Sequence, residues 1–331
     1  MAAKIGRFLS LDEAFANVMR TRAACIWPTR DTGRLEPFYE PILAPRFRLK
    51  PGSRIFTIGS CFARNIEEHL APLGFDVPMS SFGVPESEWP IRPFARRAGI
   101  LNKYTPASML QEVLHALAAM KDPGAIDLLT DSLLFPLRNG MVIDLELGGY
   151  IPVTHQRARE RRRQVFDVFR RAFDADCVII TLGLIECWFD AQRRRSLQET
   201  PNTPALRRAA ERFRFKLLDH AEVLEMIRAL TRCLLETGNT AKRILMTVSP
   251  VPLTGTFSGM DVVIANSYGK SVLRAVAQLI RDEFDQVDYF PSYEMVMMSN
   301  EKSVWEHDLM HVTDQFVRRI VGTFVKNYVE A

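Results

Sequence analysis

The sequence predicts an α/β fold built around a mostly parallel sheet, with insertions. From Arg54 onward, short apolar runs end in small or polar residues and lead into stretches with helical periodicity. This alternation is typical of strands and helices arranged around a parallel sheet. The chain of 331 residues, 47% of them hydrophobic, can also bury a full core. We therefore expect one principal domain.

The predicted elements follow one another along this domain. Residues 1–50 combine an amphipathic stretch with a path punctuated by prolines, which predicts an arm packed on the main domain at 51–331. An insertion at about 84–174 is expected to carry lid and specificity elements. The predicted strands are 54–58, 75–79, 177–182, 243–248 and 287–290. The predicted helices are 63–73, 106–119, 156–172, 206–237, 266–284 and 313–328.

Composition narrows the classes of function. Lys and Arg number 43 and Asp and Glu 39, so the net charge of +4 is too small to indicate a nucleic-acid-binding protein. The five cysteines lack C-x-x-C spacing, which predicts free thiols and gives no indication of a disulfide framework or a zinc cluster. No metal-ligand spacing and no phosphate-binding glycine motif is present. Without a secretory signal or an apolar run of ~20 residues, we expect a cytoplasmic protein with no membrane span.

A strand-to-helix turn is predicted at Ser60 and Cys61. Residues 55–58 have the pattern of a buried strand, Gly59 permits a tight turn, and the chain from Phe62 onward is amphipathic. Parallel sheets bind ligands at the carboxyl ends of their strands, and a helix N-terminus there favours a thiolate and offers an N–H group to an oxyanion. The alternative is a buried structural cysteine after an ordinary turn, which the tripeptide alone favours.

A second candidate group precedes the last predicted helix. Asp308 and His311 are three residues apart, so the carboxylate can accept a hydrogen bond from one ring nitrogen while the other takes a proton from a nucleophile. Alone, this spacing fits a surface or helix-capping pair. Combined with Cys61 near the other end of the domain, it predicts a nucleophile, a base and an orienting acid.

Several motifs occur in order along the chain. They are Gly-Ser-Cys-Phe-Ala at 59–63, Ser-Phe-Gly at 81–83, Ile-Leu-Asn-Lys-Tyr-Thr-Pro at 100–106, Thr-Leu-Gly-Leu-Ile-Glu-Cys-Trp at 181–188, Thr-Val-Ser-Pro-Val at 247–251, Tyr-Phe-Pro-Ser-Tyr-Glu at 289–294 and Asp-Leu-Met-His at 308–311. From about Pro51 to the C-terminus, the sequence thus resembles the GSCFA family, which looks like a branch of the SGNH/GDSL hydrolase superfamily. The resemblance implies a three-layer α/β/α sandwich with strands in flavodoxin-like order.

The resemblance also implies roles for individual residues. The Gly-Ser-Cys at 59–61 overlays the Gly-Asp-Ser of the superfamily, which places Cys61 in the nucleophile column and leaves Ser60 as the alternative nucleophile. Gly83 matches the glycine whose N–H helps to bind the oxyanion, and the closing Asp-x-x-His is intact. The usual Gly-x-Asn-Asp reads Gly-Leu-Ile-Glu here, so an oxyanion-binding asparagine is missing and Asn102 is the candidate to replace it.

Four residues at predicted strand ends are expected to line the pocket: Gly183, Glu186, Trp188 and Ser249. Loop packing is the alternative role for Glu186 and Trp188.

A cysteine nucleophile gives a thioester intermediate, which suits acyl transfer as well as hydrolysis. The resemblance therefore implies an esterase or O-acyltransferase that acts on a small-molecule or glycan ester, in carbohydrate or polysaccharide modification. No cofactor is expected, and acyl-CoA or another acyl carrier is the donor considered. A rival of another class is a non-catalytic protein that binds glycans or an acyl carrier on the same scaffold. The missing asparagine motif favours this rival, and the intact Asp-x-x-His argues against it.

Two arginine runs and one histidine each have two interpretations. The arginine-rich run 157–163 could attract the phosphates of an acyl carrier, but a solvated helix face is the favoured interpretation. The same interpretation applies to the run 193–195. For His155, a structural role is favoured over that of a second pocket histidine.

Overall fold

The computed structural model of the protein describes residues 5–29, 32–89 and 99–330. Its strands are β1 (Ile55–Gly59), β2 (Leu134–Pro136), β3 (Val142–Asp144), β4 (Cys177–Leu182), β5 (Glu186–Asp190), β6 (Arg195–Leu197), β7 (Phe213–Leu217), β8 (Arg243–Val248) and β9 (Val287–Tyr289). Its helices are α1 (Leu11–Arg20), α2 (Arg22–Cys25), α3 (Cys61–Leu70), α4 (Pro106–Lys121), α5 (Ile126–Leu133), α6 (His155–Phe169), α7 (Pro204–Arg207), α8 (His220–Glu236), α9 (Val262–Glu283), α10 (Ser292–Met297), α11 (Glu301–Val304) and α12 (Asp314–Tyr328).

Four parallel strands form the central sheet. Their order is β1-β4-β8-β9, and their registers place Ile55 opposite Cys177 and Cys177 opposite Arg243. Residues of β1 and β4 are buried along the whole length of both strands, as expected for a parallel sheet covered on both faces. The predicted parallel sheet is therefore confirmed, and four of the five predicted strands are present within a residue of their expected ends.

The prediction of a continuous strand at 75–79 is wrong. Asp76 forms a single parallel bridge with Arg54, beside β1, and the chain then enters a 3₁₀ helix at Pro78–Ser81. Pro78 gives the physical reason, because proline has no N–H to donate to a strand ladder. Since β4 occupies the other side of β1, the bridge lies on its outer side, and the resulting spatial order is the flavodoxin-like one.

Helices cover both faces of the sheet. Consecutive residues of β1 point to opposite faces, so neighbouring residues pack into different clusters. Ile55 belongs to a buried cluster with residues of α3 and α12, namely Phe62, Ile66, Phe316 and Ile320. Phe56 belongs to a second cluster with residues of α4, α6, α8 and α9, namely Val113, Val165, Ile227 and Val276. The molecule is therefore the three-layer α/β/α sandwich that the sequence predicts.

The predicted insertion at 84–174 contributes to the sandwich itself. Its helices α4 and α6 pack against one another and contribute to the larger core cluster, so they form part of one outer layer of the sandwich. The hairpin of β2 and β3 also belongs to it. Residues 90–98 of the insertion lie outside the described residues.

The prediction of one helix over 206–237 is also wrong. The segment contains α7, then β7 and then α8, and β7 pairs with β5, which pairs with β6 on its other side. In β7, apolar residues alternate with Arg214 and Lys216, and a period of two is that of a strand. The resulting three-stranded antiparallel sheet follows directly from the carboxyl end of β4.

The predicted N-terminal arm has two parts with different packing. Helix α1 has no buried residue. By contrast, Phe47 and Leu49 are buried in the cluster of α3 and α12, and Leu49 forms a bridge with Val329 near the end of the chain. In the part of the chain that the structure describes, no helix is long and apolar enough to cross a membrane.

Replacing Gly59 by alanine should destabilise the fold by about 1–3 kcal/mol. An added Cβ would lie 2.7 Å from the Cβ of Thr181 and 3.0 Å from its carbonyl oxygen, and neither atom can move without shifting the sheet. The measurement is the free energy of unfolding in urea. Gly322→Ala on α12 is the matched control, since nothing lies within 4 Å of its Cβ position and a helical alanine should add about 0.5–1 kcal/mol. Equal stability changes in the two variants would contradict the close-contact argument.

Candidate active site

Cys61 is the first residue of α3 and follows closely on the end of β1. Ser60 is the N-cap of the helix, and its Oγ accepts a hydrogen bond from the N–H of Phe62 at 3.4 Å. The same oxygen lies 3.4 Å from the Oγ of Ser249, at the end of β8. Ser60 is only 4% exposed, whereas Cys61 is partly exposed. The turn thus uses the serine hydroxyl to cap the helix and leaves the cysteine open to solvent.

The chain around Lys103 lies between the ends of β1 and β4. The N–H of Lys103 donates to the carbonyl of Gly59 at 2.8 Å, and the N–H of Leu184 donates to the carbonyl of Tyr104 at 2.8 Å. At Gly183, an added Cβ would lie 2.7 Å from the Tyr104 carbonyl oxygen, so a larger residue would push the two segments apart. The predicted pocket residues Gly183 and Ser249 therefore both lie at the carboxyl edge that holds the Cys61 turn.

Asn102 is brought to the same edge. It is 6% exposed, and its Nδ2 donates to the hydroxyl of Tyr104 at 3.3 Å. Among the described residues, its Oδ1 has no hydrogen-bond partner. Such an unmatched buried atom is uncommon, and the amide can present either its oxygen or its nitrogen by rotating about its last bond. Asn102 can therefore bind a polar atom of a ligand.

Asp308 and His311 form the predicted pair. The Nδ1 of His311 lies 2.5 Å from the Oδ2 of Asp308, and the other carboxylate oxygen accepts the N–H groups of His311 and Met310 at 2.9 Å each. Leu309 has a positive φ of 55°, which lets the loop turn back on itself. The hydrogen bonds from His311 and Met310 lower the pKa of Asp308 to about 2, so the carboxylate is ionised at neutral pH.

The loop of this pair leads into α12, which packs against α3. Val312, the neighbour of His311, and Phe62, the neighbour of Cys61, belong to the same buried cluster. The nucleophile and base candidates therefore lie on the same face of the sheet, on elements that pack together.

Gly83 and His155 are the remaining candidates from the sequence. Gly83 is partly buried and comes shortly after the 3₁₀ helix Pro78–Ser81. His155 begins α6, and its Nε2 lies 3.2 Å from an oxygen of Asp131. The contact with Asp131 agrees with the structural role favoured for His155.

Glu186 and Trp188 both contact the loop that follows β8. Glu186 accepts hydrogen bonds from the hydroxyl of Thr256 and from the N–H of Phe257. The ring of Trp188 packs edge-on against Phe257, with centroids 5.1 Å apart, and also contacts Phe215. These contacts give both residues a role in ordering the loop beside the site.

Lys270 also lies at this edge, although the sequence did not predict a role for it. This residue of α9 is 2% exposed, and its Nζ donates to the carbonyls of Gly183 at 2.9 Å and Val251 at 2.8 Å. Burial lowers the pKa of Lys270 to about 7, and an electrostatic contribution from Cys61 opposes this shift. A signal was present in the sequence, because Lys270 lies on the same helical face as the core residue Leu273.

The arginine run on α6 is not a solvated helix face, so that interpretation is wrong. Arg161 and Arg162 are buried, because the helix turns this side towards acidic residues of the insertion. Each arginine of the run has a carboxylate partner: Arg157 and Arg161 bind Glu88, Arg159 binds Asp131, Arg162 binds Asp144 and Glu112, and Arg163 binds Asp127. In the second run, Arg193 donates to the carbonyl of Ser132 and Arg195 contacts His115.

The ion pair of Glu112 and Arg162 is connected to the candidate site through Lys103. Glu112 is bound by Arg162 and also by the Nζ of Lys103 at 2.5 Å, which in turn donates to the carbonyl of Glu146 at 2.6 Å. Burial alone would raise the pKa of Glu112, but Arg162 and Lys103 lower it to about 2. The Lys103 side chain thus joins the insertion to a backbone segment whose N–H binds Gly59.

The model of the GSCFA family matches residues 54–324. The chain belongs to the GSCFA family. No curated protein matches the chain, and no solved structure does. Both groups of the site, the Cys61 turn and the Asp308–His311 pair, lie inside the matched range of this GSCFA protein.

The cysteines and the acidic side chains limit the chemistry of the site. All five cysteines are free, and burial raises the pKa of Cys187 to about 12 and also raises that of Cys177, which leaves these two thiols unreactive. Within residues 5–29, 32–89 and 99–330, no group of three or more His, Cys, Asp or Glu side chains is arranged to hold a metal ion. The arrangement offers a thiol and buried polar groups at the carboxyl edge of the sheet, and a carboxylate-bound imidazole on the loop that leads into α12.

Replacing Lys103 by methionine should lower the free energy of unfolding at pH 7 by about 3–5 kcal/mol, because it removes one of the two cations that bind the buried Glu112. The folded-state pKa of Glu112, about 2, lies below its ordinary value of 4.5, so its contribution is present above pH 4.5 and lost on acidification. The difference between the two proteins should therefore shrink as the pH falls from 4.5 towards 2.

Urea unfolding at several pH values tests this expectation. Lys302→Met is the control, since Lys302 is exposed and its loss should change stability by less than about 0.5 kcal/mol. A Lys103 variant as stable as this control would show that the buried ion pair does not hold the segment.

Proposed function

We propose that this GSCFA protein is an acyl-ester enzyme, an esterase or O-acyltransferase, in which Cys61 is the nucleophile, His311 the base and Asp308 the acid that orients it. The observation that carries the proposal is the Asp308–His311 pair, at 2.5 Å, on a loop that leads into a helix packed against α3. Cys61 begins α3 and is partly exposed. The resemblance to SGNH hydrolases supports the same assignment.

The proposed reaction has two steps. The sulfur of Cys61 attacks the carbonyl carbon of an ester or thioester, and His311 takes the thiol proton and delivers it to the departing alcohol or thiol. The product of this step is a thioester on Cys61. In the second step His311 takes a proton from water or from a hydroxyl group, whose oxygen attacks the thioester, and the thiol of Cys61 is regenerated.

The pairing of His311 with Asp308 suits the ring for this role. The ionised carboxylate accepts from Nδ1 and stabilises the imidazolium that forms when the other nitrogen, Nε2, takes a proton. The low pKa of Asp308 keeps the carboxylate charged over the whole physiological range.

Negative charge on the substrate oxygen would develop at the start of α3. A helix N-terminus favours such charge, and the N–H of Cys61 is the first donor proposed for it. We propose Gly83 and Asn102 as further donors. The unmatched Oδ1 of Asn102 supports its part in this, because a buried amide with spare hydrogen-bonding capacity can bind the oxyanion through Nδ2 after a small rotation.

The choice of Cys61 over Ser60 follows from how the two residues are used. Ser60 is buried and its hydroxyl caps α3, so attack by Ser60 would remove the cap. Cys61 is partly exposed, and a helix N-terminus stabilises its thiolate.

The substrate proposed is a small-molecule or glycan ester, with a carbohydrate or polysaccharide precursor as the acyl acceptor where transfer occurs. Acyl-CoA or another acyl carrier is the proposed donor. The arginines of 157–163 are engaged with carboxylates and do not support phosphate binding on α6. We place the activity in the cytoplasm, which the five free cysteines support.

Replacing Cys61 by alanine should abolish turnover of p-nitrophenyl acetate or acetyl-CoA while the circular dichroism spectrum stays unchanged. Brief incubation of the wild-type protein with the same donor should add one acetyl group to the peptide that contains Cys61, as read by mass spectrometry. The proposal rests on this thioester, because it distinguishes an enzyme from a protein that only binds glycans or an acyl carrier.

Two matched variants complete the experiment. Cys233→Ala, on α8, should retain full activity. Ser60→Ala should retain the acetylated peptide but lose about 1 kcal/mol of stability with its helix cap. Turnover that survives in Cys61→Ala and disappears in Ser60→Ala would transfer the nucleophile role to Ser60, and an absence of turnover in every variant together with an unacetylated wild-type protein would favour the binding protein.

Replacing Asp308 by asparagine should lower kcat by about 100-fold or more, because the imidazolium loses its carboxylate partner. KM for the same ester should change little. Steady-state kinetics measures both values, with His307→Asn as the control on the exposed neighbour in the same loop. Equal kcat values for the two variants would rule out the orienting role of Asp308.

A further inference from the structure

Lys270 lies at the candidate site but has no part in the reaction proposed so far. Its ammonium group is enclosed by protein and donates to the carbonyl of Gly183, which follows β4, and to that of Val251, which follows β8. These two carbonyls flank the same carboxyl edge at which Ser249 contacts Ser60. The charge is therefore fixed beside the nucleophile turn.

No carboxylate in the described part of the chain forms an ion pair with Lys270, unlike Lys103, which has Glu112. A buried cation without an anion is costly. Burial accordingly lowers the pKa of Lys270 to about 7, and the anion that opposes this shift is the thiolate of Cys61. The interaction of two charges is mutual, so a charged Lys270 favours the thiolate to the same extent.

We propose that Lys270 is a positioning residue whose ammonium group, held between the carbonyls of Gly183 and Val251, favours the thiolate form of Cys61. In this role the lysine increases the fraction of Cys61 that can attack an acyl group before His311 acts. The lysine acts through Cys61 and does not itself contact the substrate.

The titratable groups around this pair come from separate elements. Cys61 belongs to α3, and Glu186 of β5 borders the same small cavity as Lys270. Glu186 is itself bound by Thr256 and by the N–H of Phe257. His311, on the loop before α12, is the remaining titratable group of the proposed site.

Lys242 offers a matched control. It is also buried, its Nζ also donates to two backbone carbonyls, and burial also lowers its pKa, to about 8. It precedes β8 and therefore lies at the amino edge of the sheet, opposite to Cys61. A loss that follows from removing any buried lysine should appear in both variants.

The experiment measures how fast iodoacetamide alkylates Cys61 between pH 5.5 and 9, by mass spectrometry of its peptide. In Lys270→Met the pH midpoint of alkylation should rise by about one unit or more, which slows alkylation at pH 7 by about tenfold. Lys270→Arg, which retains a cation, should recover at least part of this loss. Lys242→Met should alkylate at the wild-type rate within about twofold, since its charge lies at the far edge.

A Lys270→Met profile that superimposes on the wild type would overturn the proposal, as would an equal slowing in Lys242→Met. The inference rests on the proposed role of Cys61, but alkylation does not depend on turnover. An inactive protein with a shifted Lys270→Met profile would therefore disprove the enzyme and keep the inference.

A second measurement applies if Lys270→Met does not fold. Because the pKa of Lys270 is lower in the folded than in the unfolded protein, its contribution to stability increases as the pH rises through 7. In Cys61→Ala the opposing thiolate is absent, so the rise in unfolding free energy should begin at a lower pH than in the wild type. Coincident curves for the two proteins would contradict the interaction.

Discussion

The contact between Gly59 and Thr181 sets the distance between β1 and β4 at the carboxyl edge of the sheet, where the candidate site lies. Gly59 has no Cβ atom, and there is no room for one beside Thr181. Strands β1 and β4 can therefore approach closely, and the helix that begins with Cys61 starts directly above the sheet. The carbonyl of Gly59 accepts the N–H of Lys103. A single glycine therefore places the cysteine, the segment with Asn102 and the end of β4 together.

Two buried lysines stabilise this edge in different ways. Lys103 has a carboxylate partner in Glu112 and ties the insertion to the β1 turn, so its charge is neutralised within the core. Lys270 has backbone carbonyls as its acceptors, and in the proposed site its charge favours the thiolate of Cys61. Both ammonium groups are costly to bury, but only the second leaves its charge available to the chemistry of the site.

The sequence predicted the central sheet and five of the six predicted helices well, and it was wrong at two segments, 75–79 and 206–237, and at the arginine run of α6. β4 and β8 are continuous apolar runs, which a parallel sheet buried on both faces requires, and both occur at the predicted residues. The prediction for 206–237 was wrong because the helical periodicity of α8 is stronger than the short alternation of apolar and polar residues in β7. Pairing with β5 makes that short stretch a strand. The prediction of a solvated face for Arg161 and Arg162 was wrong because their carboxylate partners lie on distant segments. No local pattern reveals those partners.

The sequence alone determined the motifs of the site, since the strand-to-helix turn at Cys61 and the Asp308–His311 spacing depend on neighbouring residues only. The tertiary structure decided which further groups join them. Asn102 reaches the carboxyl edge because its neighbour Lys103 binds the carbonyl of Gly59, and Lys270 reaches it by binding the carbonyl of Gly183. Helical spacing indicates that Lys270 faces the core, but its partners lie far away in the chain, so the assembled core decides what each buried group binds and how far its pKa shifts.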